Sequence, residues 1–140
     1  MAINQFSRSL PIMLYRTLDA VMPRFRKIFN EFGLTEQQWR VLRVLWEYDE
    51  IALIELSSLT LIPAPSLVGV VDRLQSMNLV TRRRSASDRR RVYVLATDKG
   101  TNLEASIMPA VGAAYAELKQ SVDPETWNTV LRGLSKISES

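Results

Sequence analysis

The sequence predicts a mainly α-helical chain that carries one small β-hairpin. Apolar residues recur at steps of three and four through most of the 140 residues. One pair of β-branched, apolar segments, Leu79-Val80-Thr81 and Val92-Tyr93-Val94-Leu95-Ala96, brackets a polar turn. That turn has a character of its own: residues 82–91 hold six arginines and one aspartate, a formal +5 in a chain whose total is +3, so all other residues sum to −2. Charge concentrated at a protruding hairpin suits a polyanionic partner; its bland alternative is a solvated face.

The first helix is expected over about 9–32, where Leu10, Leu14, Leu18, Val21, Phe25, Phe29 and Phe32 draw one stripe. Pro23 removes a backbone donor inside it, so either the helix kinks there or two shorter helices abut, and Gly33 stops it. Thr35-Glu36-Gln37-Gln38 spells a capping box and opens a second helix that reaches about Tyr48, with Trp39, Leu42, Leu45 and Trp46 as core candidates. An apolar stub, Ile51-Ala52, precedes a brief helix from Ile54 to Leu59, and Leu61-Ile62-Pro63 breaks it. The next helix runs from Ala64, with Pro65 at the first helical position, to Met77.

Rotation about that helix turns Leu67, Val70, Val71, Leu74 and Met77 inward and leaves Ser66, Gly69, Asp72, Arg73 and Ser76 outward. Two helices joined by a tight turn, the second small-residued at its start, make a helix-turn-helix candidate. Ser66, at the positive end of the second helix, can donate to a phosphate or base edge; Val68 can touch a thymine methyl; and Gly69 lets a groove approach the backbone closely. Gly69 otherwise costs a helix interior about 1 kcal/mol. Arg73 can reach phosphate or guanine, the alternative being an ion pair with Asp72 or Asp88. After the hairpin, Thr97-Asp98-Lys99-Gly100 caps a helix to about Gln120 that tolerates Pro109, and Asp123-Pro124-Glu125 starts a last one through Ile137.

The chain has no cysteine and no histidine. Disulfides, thiol redox sensing, Cys/His zinc sites and Cys/His or Ser/His nucleophilic catalysis are therefore excluded. Paired carboxylates at diagnostic spacing, Gly-rich phosphate loops and metal-ligand clusters are missing too, so neither an enzyme nor a bound cofactor or metal is expected. No apolar run approaches a membrane span, and Met1–Arg8 does not read as a secretory signal, which makes the cytoplasm the expected compartment. The length is that of one domain, 1–140.

Three motifs in this order resemble the MarR family of winged-helix transcriptional regulators over nearly the whole chain. They are Leu34-Thr35-Glu36-Gln37-Gln38-Trp39-Arg40-Val41-Leu42, Val71-Asp72-Arg73-Leu74 with Asn78-Leu79-Val80, and Ser87-Asp88-Arg89-Arg90-Arg91-Val92-Tyr93-Val94 with Ala96-Thr97-Asp98-Lys99-Gly100. Asn78 stands where the family usually has glycine, a residue that likewise tolerates a left-handed backbone. Within the family, Leu34 to Val44 and Val92-Tyr93-Val94 are most similar to regulators of aromatic-acid degradation operons, of the hydroxyphenylacetate or homoprotocatechuate type, although Leu18 stands where these commonly carry arginine.

The resemblance implies a winged helix-turn-helix lobe over about 36–97, with N- and C-terminal dimerisation helices over 1–33 and 98–140. It implies a homodimeric repressor on a palindromic double-stranded DNA operator, its interface drawn from the stripes at Leu10 and at Trp127, Val130, Leu131, Leu134 and Ile137, for which the alternative is an intramolecular core. In the wing it implies DNA contacts from Arg84, Asp88, Arg89 and Arg90, with Arg90 entering the minor groove and Asp88 bracing it. With thiols and imidazoles absent, a small aromatic carboxylate is the expected effector. Family pockets between the first two helices and the DNA-binding lobe bring forward Arg16, Trp39 and Arg40, since a guanidinium can fork onto a carboxylate while an indole covers the ring. For Trp39 the alternative is core packing, and for Arg16 a solvated surface. Against the regulator stands one rival, a winged-helix module that binds an acidic protein partner.

Overall fold

A computed structural model describes residues 6–139; Met1–Gln5, part of the segment read for a secretory pattern, and Ser140 lie outside the described residues. The elements follow in the order α1 (Leu10–Glu31), α2 (Glu36–Leu45), β1 (Ile51–Ala52), α3 (Leu53–Thr60), α4 (Ala64–Ser76), β2 (Val80–Arg84), β3 (Val92–Ala96), α5 (Asp98–Gln120) and α6 (Pro124–Glu139), with a short 3-10 turn, Phe6–Arg8, ahead of them. The mainly helical architecture with a basic hairpin is as expected. Two compact units make it up, one of Met1–Lys27 and Pro109–Ser140, the other of Ile28–Met108.

In the unit Ile28–Met108, the ends of α1 and α4 are built alike. Gly33, at φ +74°, donates to Asn30 O at 3.0 Å while the next residue, Leu34, donates to Phe29 O at 2.9 Å. Asn78, at φ +60°, donates to Gln75 O at 2.9 Å and Leu79 to Leu74 O at 3.0 Å. Both are Schellman closures, and in each the residue after the left-handed one, Leu34 or Leu79, is buried and pins the exit of the helix. The predicted capping box of α2 is present: Thr35 Oγ1 accepts from Gln38 N at 3.1 Å, and Gln38 Oε1 accepts from Thr35 N at 3.0 Å. Pro23 lies within α1, which runs as one helix and not as two abutting ones.

Several boundaries differ from the sequence reading. The second helix stops at Leu45, three residues before Tyr48, because the chain must turn there to deliver Ile51-Ala52 to the sheet. That stub is a strand: Ile51 pairs with Val94 and Ala52 with Tyr93, giving a three-stranded antiparallel sheet in the order β1-β3-β2. Pro65 occupies the second position of α4, with Ala64 first; at either place its missing N–H has no helical partner to lose.

Apolar faces of α2, α3, α4 and the sheet close on Val41, Leu42, Leu56, Leu67, Val71 and Val94, all fully buried. Val41 was missed as a core residue, whereas Trp39, Trp46 and Met77, read as inward, are half-buried. Trp46 instead donates its indole N–H to Gly100 O at 2.9 Å, which ties α2 to the start of α5. A Cβ built on Gly100 would lie 2.1 Å from Leu79 O, so backbone meets backbone there and only glycine fits.

In the unit Met1–Lys27 with Pro109–Ser140, Arg24 of α1 pairs with Glu117 of α5, and Tyr115 meets Trp127 of α6 edge to face at 5.7 Å. Asp123 caps α6 by accepting from Thr126 N and Thr126 Oγ1, each at 2.8 Å, and these bonds hold its carboxyl below the usual aspartate range. No residue of α6 is buried; Val130 and Leu131 are about half exposed, as are Leu10, Met13, Leu14 and Leu18 of α1.

Candidate nucleic-acid interface

The axes of α3 and α4 meet at 104°, a helix-turn-helix angle. Leu67, Val70, Val71 and Leu74 are buried, so Ser66, Val68, Gly69, Asp72, Arg73 and Ser76 are left on the exposed face of α4. Nothing lies within 4 Å of a Cβ built on Gly69, so no contact inside the lobe requires glycine there. Arg73 is exposed and forms neither of the ion pairs weighed for it: Asp72 is taken by Arg82, and Asp88 by Arg90.

Strand pleating sorts the arginines of the hairpin, since alternate residues face opposite sides. Arg82, on β2, turns to α4, where Asp72 and Gln75 accept its N–H groups, the latter at 3.0 Å. Arg83 points the other way, over the ring of its cross-strand partner Tyr93 at 4.7 Å. It also grips both oxygens of Glu50, with Nε to Oε2 at 2.8 Å. That bidentate bond holds the Glu50 carboxyl below its ordinary range and raises the Arg83 guanidinium above its own. Arg91 lies 3.5 Å from Glu55. Three of the six arginines are thereby paired, at the shoulders of the wing, with carboxylates outside the hairpin.

The tip differs. Ser85, buried, donates from its N–H to Arg91 O at 3.0 Å, and its Oγ accepts from Asp88 N at 3.2 Å and Ser87 N at 3.3 Å, so the turn is an ordered loop. Arg84 donates to Arg89 O at 2.7 Å. Asp88 Oδ1 accepts from Arg90 N at 3.0 Å and from Arg90 Nε at 3.3 Å, while the Arg90 side chain remains 92% exposed. Arg84, Arg89 and Arg90 thus carry the net positive charge outward, and a local carboxylate orients Arg90 without covering it. One cleft of 350 Å³ is lined by both Ala64, at the start of α4, and Arg90, which places the helix end and the wing tip on one side of the lobe.

The clamps on Arg82 and Arg83 were not foreseen. Charge complementarity between Asp72 or Glu50 and the run was visible, but the pairing depends on which face of β2 each arginine takes, and that follows from register.

Among the ligand candidates, Arg16 is exposed on α1 and donates to Ser7 O at 3.3 Å. Trp39 stacks on Phe29 at 4.8 Å and 17° and meets Trp46 edge to face at 5.5 Å, a packing role. Arg40 donates to Thr60 O at 3.4 Å and lies 3.6 Å from Glu36, bridging α2 to the end of α3. No cluster of metal-ligating side chains occurs among the described residues, and no single helix there is long and apolar enough to cross a membrane.

Residues 34–92 match the MarR family. The HTH-type transcriptional regulator FarR of Neisseria gonorrhoeae is 33% identical over 135 residues, covering 94% of this chain and 92% of that one. The homoprotocatechuate degradative operon repressor of Escherichia coli is 32% identical over 117 residues, 84% of this chain and 79% of that one. The crystal structure of NadR in complex with 4-hydroxyphenylacetate has a TM-score of 0.81 at 30% identity, over 98% of this chain and 97% of that one. FarR and the homoprotocatechuate repressor are named as regulators and not as enzymes, and they do not favour the protein-interaction module. The helix-turn-helix, the outward arginines of its wing and likeness over almost the full length agree: the chain belongs to the MarR family of DNA-binding transcriptional regulators.

Proposed function

We propose that this regulator acts as a cytoplasmic homodimeric repressor that binds a palindromic operator and is released by a small aromatic carboxylate. The observation that carries the DNA contact is the division of the wing: Arg84, Arg89 and Arg90 are exposed at its tip, the last paired only within the turn to Asp88, whereas Arg82, Arg83 and Arg91 pair with carboxylates outside the hairpin. Arg90, braced by Asp88, enters the minor groove, where narrow walls concentrate negative potential and a guanidinium sheds its water readily. Ser66, Val68, Gly69 and Arg73 of α4 lie in the major groove.

The winged lobe over about 36–97 does the binding, and the helices over 1–33 and 98–140 pair two copies. Support for the pairing comes from α1 and α6, whose apolar stripes stay exposed in the single chain. Two lobes related by a twofold axis demand half-sites about one helical turn apart. A nuclease footprint on the DNA beside the gene tests this directly. Two protected half-sites in inverted orientation are expected; a single unpaired half-site, or no protection, contradicts it.

For the effector, support comes from relatives named for homoprotocatechuate and 4-hydroxyphenylacetate, and from Arg16 and Arg40, each of which offers a guanidinium that can fork onto a carboxylate. To release DNA, the ligand must favour a dimer geometry that no longer fits the operator spacing. Calorimetry with 4-hydroxyphenylacetate and homoprotocatechuate should show saturable heat and, in the same range, loss of the operator complex. Absence of heat with both removes the effector from the proposal and leaves the repressor.

A further inference from the structure

Resting on the reading of α4 as the recognition helix, we propose that the operator half-site is read through thymine C5-methyl groups, by an apolar edge formed by Leu61, Ala64 and Val68. The residue types on α4 leave little else. Between Ala64 and Val71 the only side chain able to hydrogen-bond is Ser66, and the exposed positions are otherwise Ala64, Pro65, Val68 and Gly69. Bidentate base readout in the major groove relies on arginine, asparagine or glutamine, α4 offers none of these before Arg73, and the single hydroxyl of Ser66 discriminates weakly because it can pair with several bases. The one apolar feature a base pair presents in that groove is the thymine methyl.

Leu61 supplies an independent observation. It sits in the turn between α3 and α4 at φ +59° and ψ +29°, a left-handed conformation that a branched side chain rarely adopts, and it is 82% exposed. Both features are unfavourable in the free lobe, and glycine would remove both. An apolar contact with DNA offsets them.

The edge does not end there. Ile54, 74% exposed, and Ala64 line the 350 Å³ cleft that Arg90 and Arg91 border. Ala64 therefore has Arg90 and Arg91 beside it, and Val68 shares a second cleft with Arg82, Arg83 and Arg84, so guanidinium groups flank both helix residues, as suits a surface that meets methyl groups inside a groove walled by phosphates. Spacing agrees as well: Ala64 and Val68, one helical turn apart, are separated by about 6 Å, close to two base-pair rises of about 3.4 Å.

The test uses the full chain and a duplex selected from a random pool by repeated rounds of binding. That duplex is then remade with deoxyuridine for thymidine in the half-sites, which deletes the C5-methyl and keeps the pairing. A single replacement is expected to weaken binding about threefold, and replacement of all half-site thymidines at least about tenfold, because each buried methyl is worth roughly a factor of four. Val68→Ala should lose most of this sensitivity. Leu61→Gly should do the same while raising the melting midpoint by about 2–6 °C, a combination that a merely structural leucine would not give.

A fully substituted duplex bound within about twofold of the parent overturns the inference, as does selection of half-sites without thymine. So does a change in sedimentation of Leu61→Gly without DNA, which would assign the strip to a protein contact. Failure to select any duplex is distinct from these, since it overturns the recognition-helix reading itself.

Discussion

Arg82 of β2 is bound to Asp72 of α4, and Gln75, three residues further along the same exposed face, accepts from Arg82 Nε at 3.0 Å. One guanidinium therefore braces the wing against the recognition helix. In the proposed docking both elements enter adjacent grooves together, so their mutual angle decides whether a lobe fits DNA. Arg82→Ala and Asp72→Asn are each expected to weaken operator binding several-fold without lowering the salt slope, because neither group neutralises a phosphate. The pair is partly exposed, and its loss should cost stability no more than about 1 kcal/mol. A salt slope reduced as much by Arg82→Ala as by a phosphate-contact variant would place Arg82 on the DNA instead.

Gly100→Ala drives a methyl into Leu79 O, a backbone atom that also accepts from Thr97 N at 3.0 Å and so has little room to move. Unfolding in denaturant should show a loss of about 1–3 kcal/mol. A loss under about 0.5 kcal/mol would mean that the helix start shifts freely.

Operator affinity at fixed salt is expected to be flat between about pH 6 and pH 8. The chain has no histidine, and the wing's bidentate pair titrates outside that window. Glu50 is depressed, so its contribution is fully present above the ordinary glutamate value of about 4.3 and is lost only as pH falls through the lower folded value. Arg83 is raised, so its contribution persists below the ordinary arginine value and would be lost only in strong alkali. Fluorescence anisotropy across the window checks this, and a sigmoidal change within it would reveal a titrating group that these contacts do not contain.

Leu14→Glu combined with Leu131→Glu places charge on the exposed stripes of α1 and α6. Sedimentation should then report monomers for the variant and dimers for the parent chain. Unchanged mass would assign the pairing to another surface.

Much of this was legible from local rules. The ends of α1 at Gly33 and α4 at Asn78, the capping box, the buried and exposed faces of α4 and the strand segments follow from residue type and period, which act over a few residues; the left-handed Leu61 at the end of α3 does not. What escaped depends on distant partners. Ile51-Ala52 is a strand only because Val94 and Tyr93 accept it, and α2 ends early for the same reason. Trp39 fits either an effector pocket or a core by sequence, and its stacking on Phe29 is a packing contact that only the fold brings about. The hairpin charge was visible as a total; which carboxylate Arg82 and Arg83 each meet needed the alternation of β2 in register with β3.

The central claim is that Arg90 carries the wing into DNA. Binding of the Arg90→Ala variant to a selected operator duplex, titrated with salt, tests it most directly. The account predicts affinity about 5- to 150-fold weaker, a salt slope reduced by about one, and an unchanged dimer. Equal affinity and an equal slope for variant and parent would contradict it.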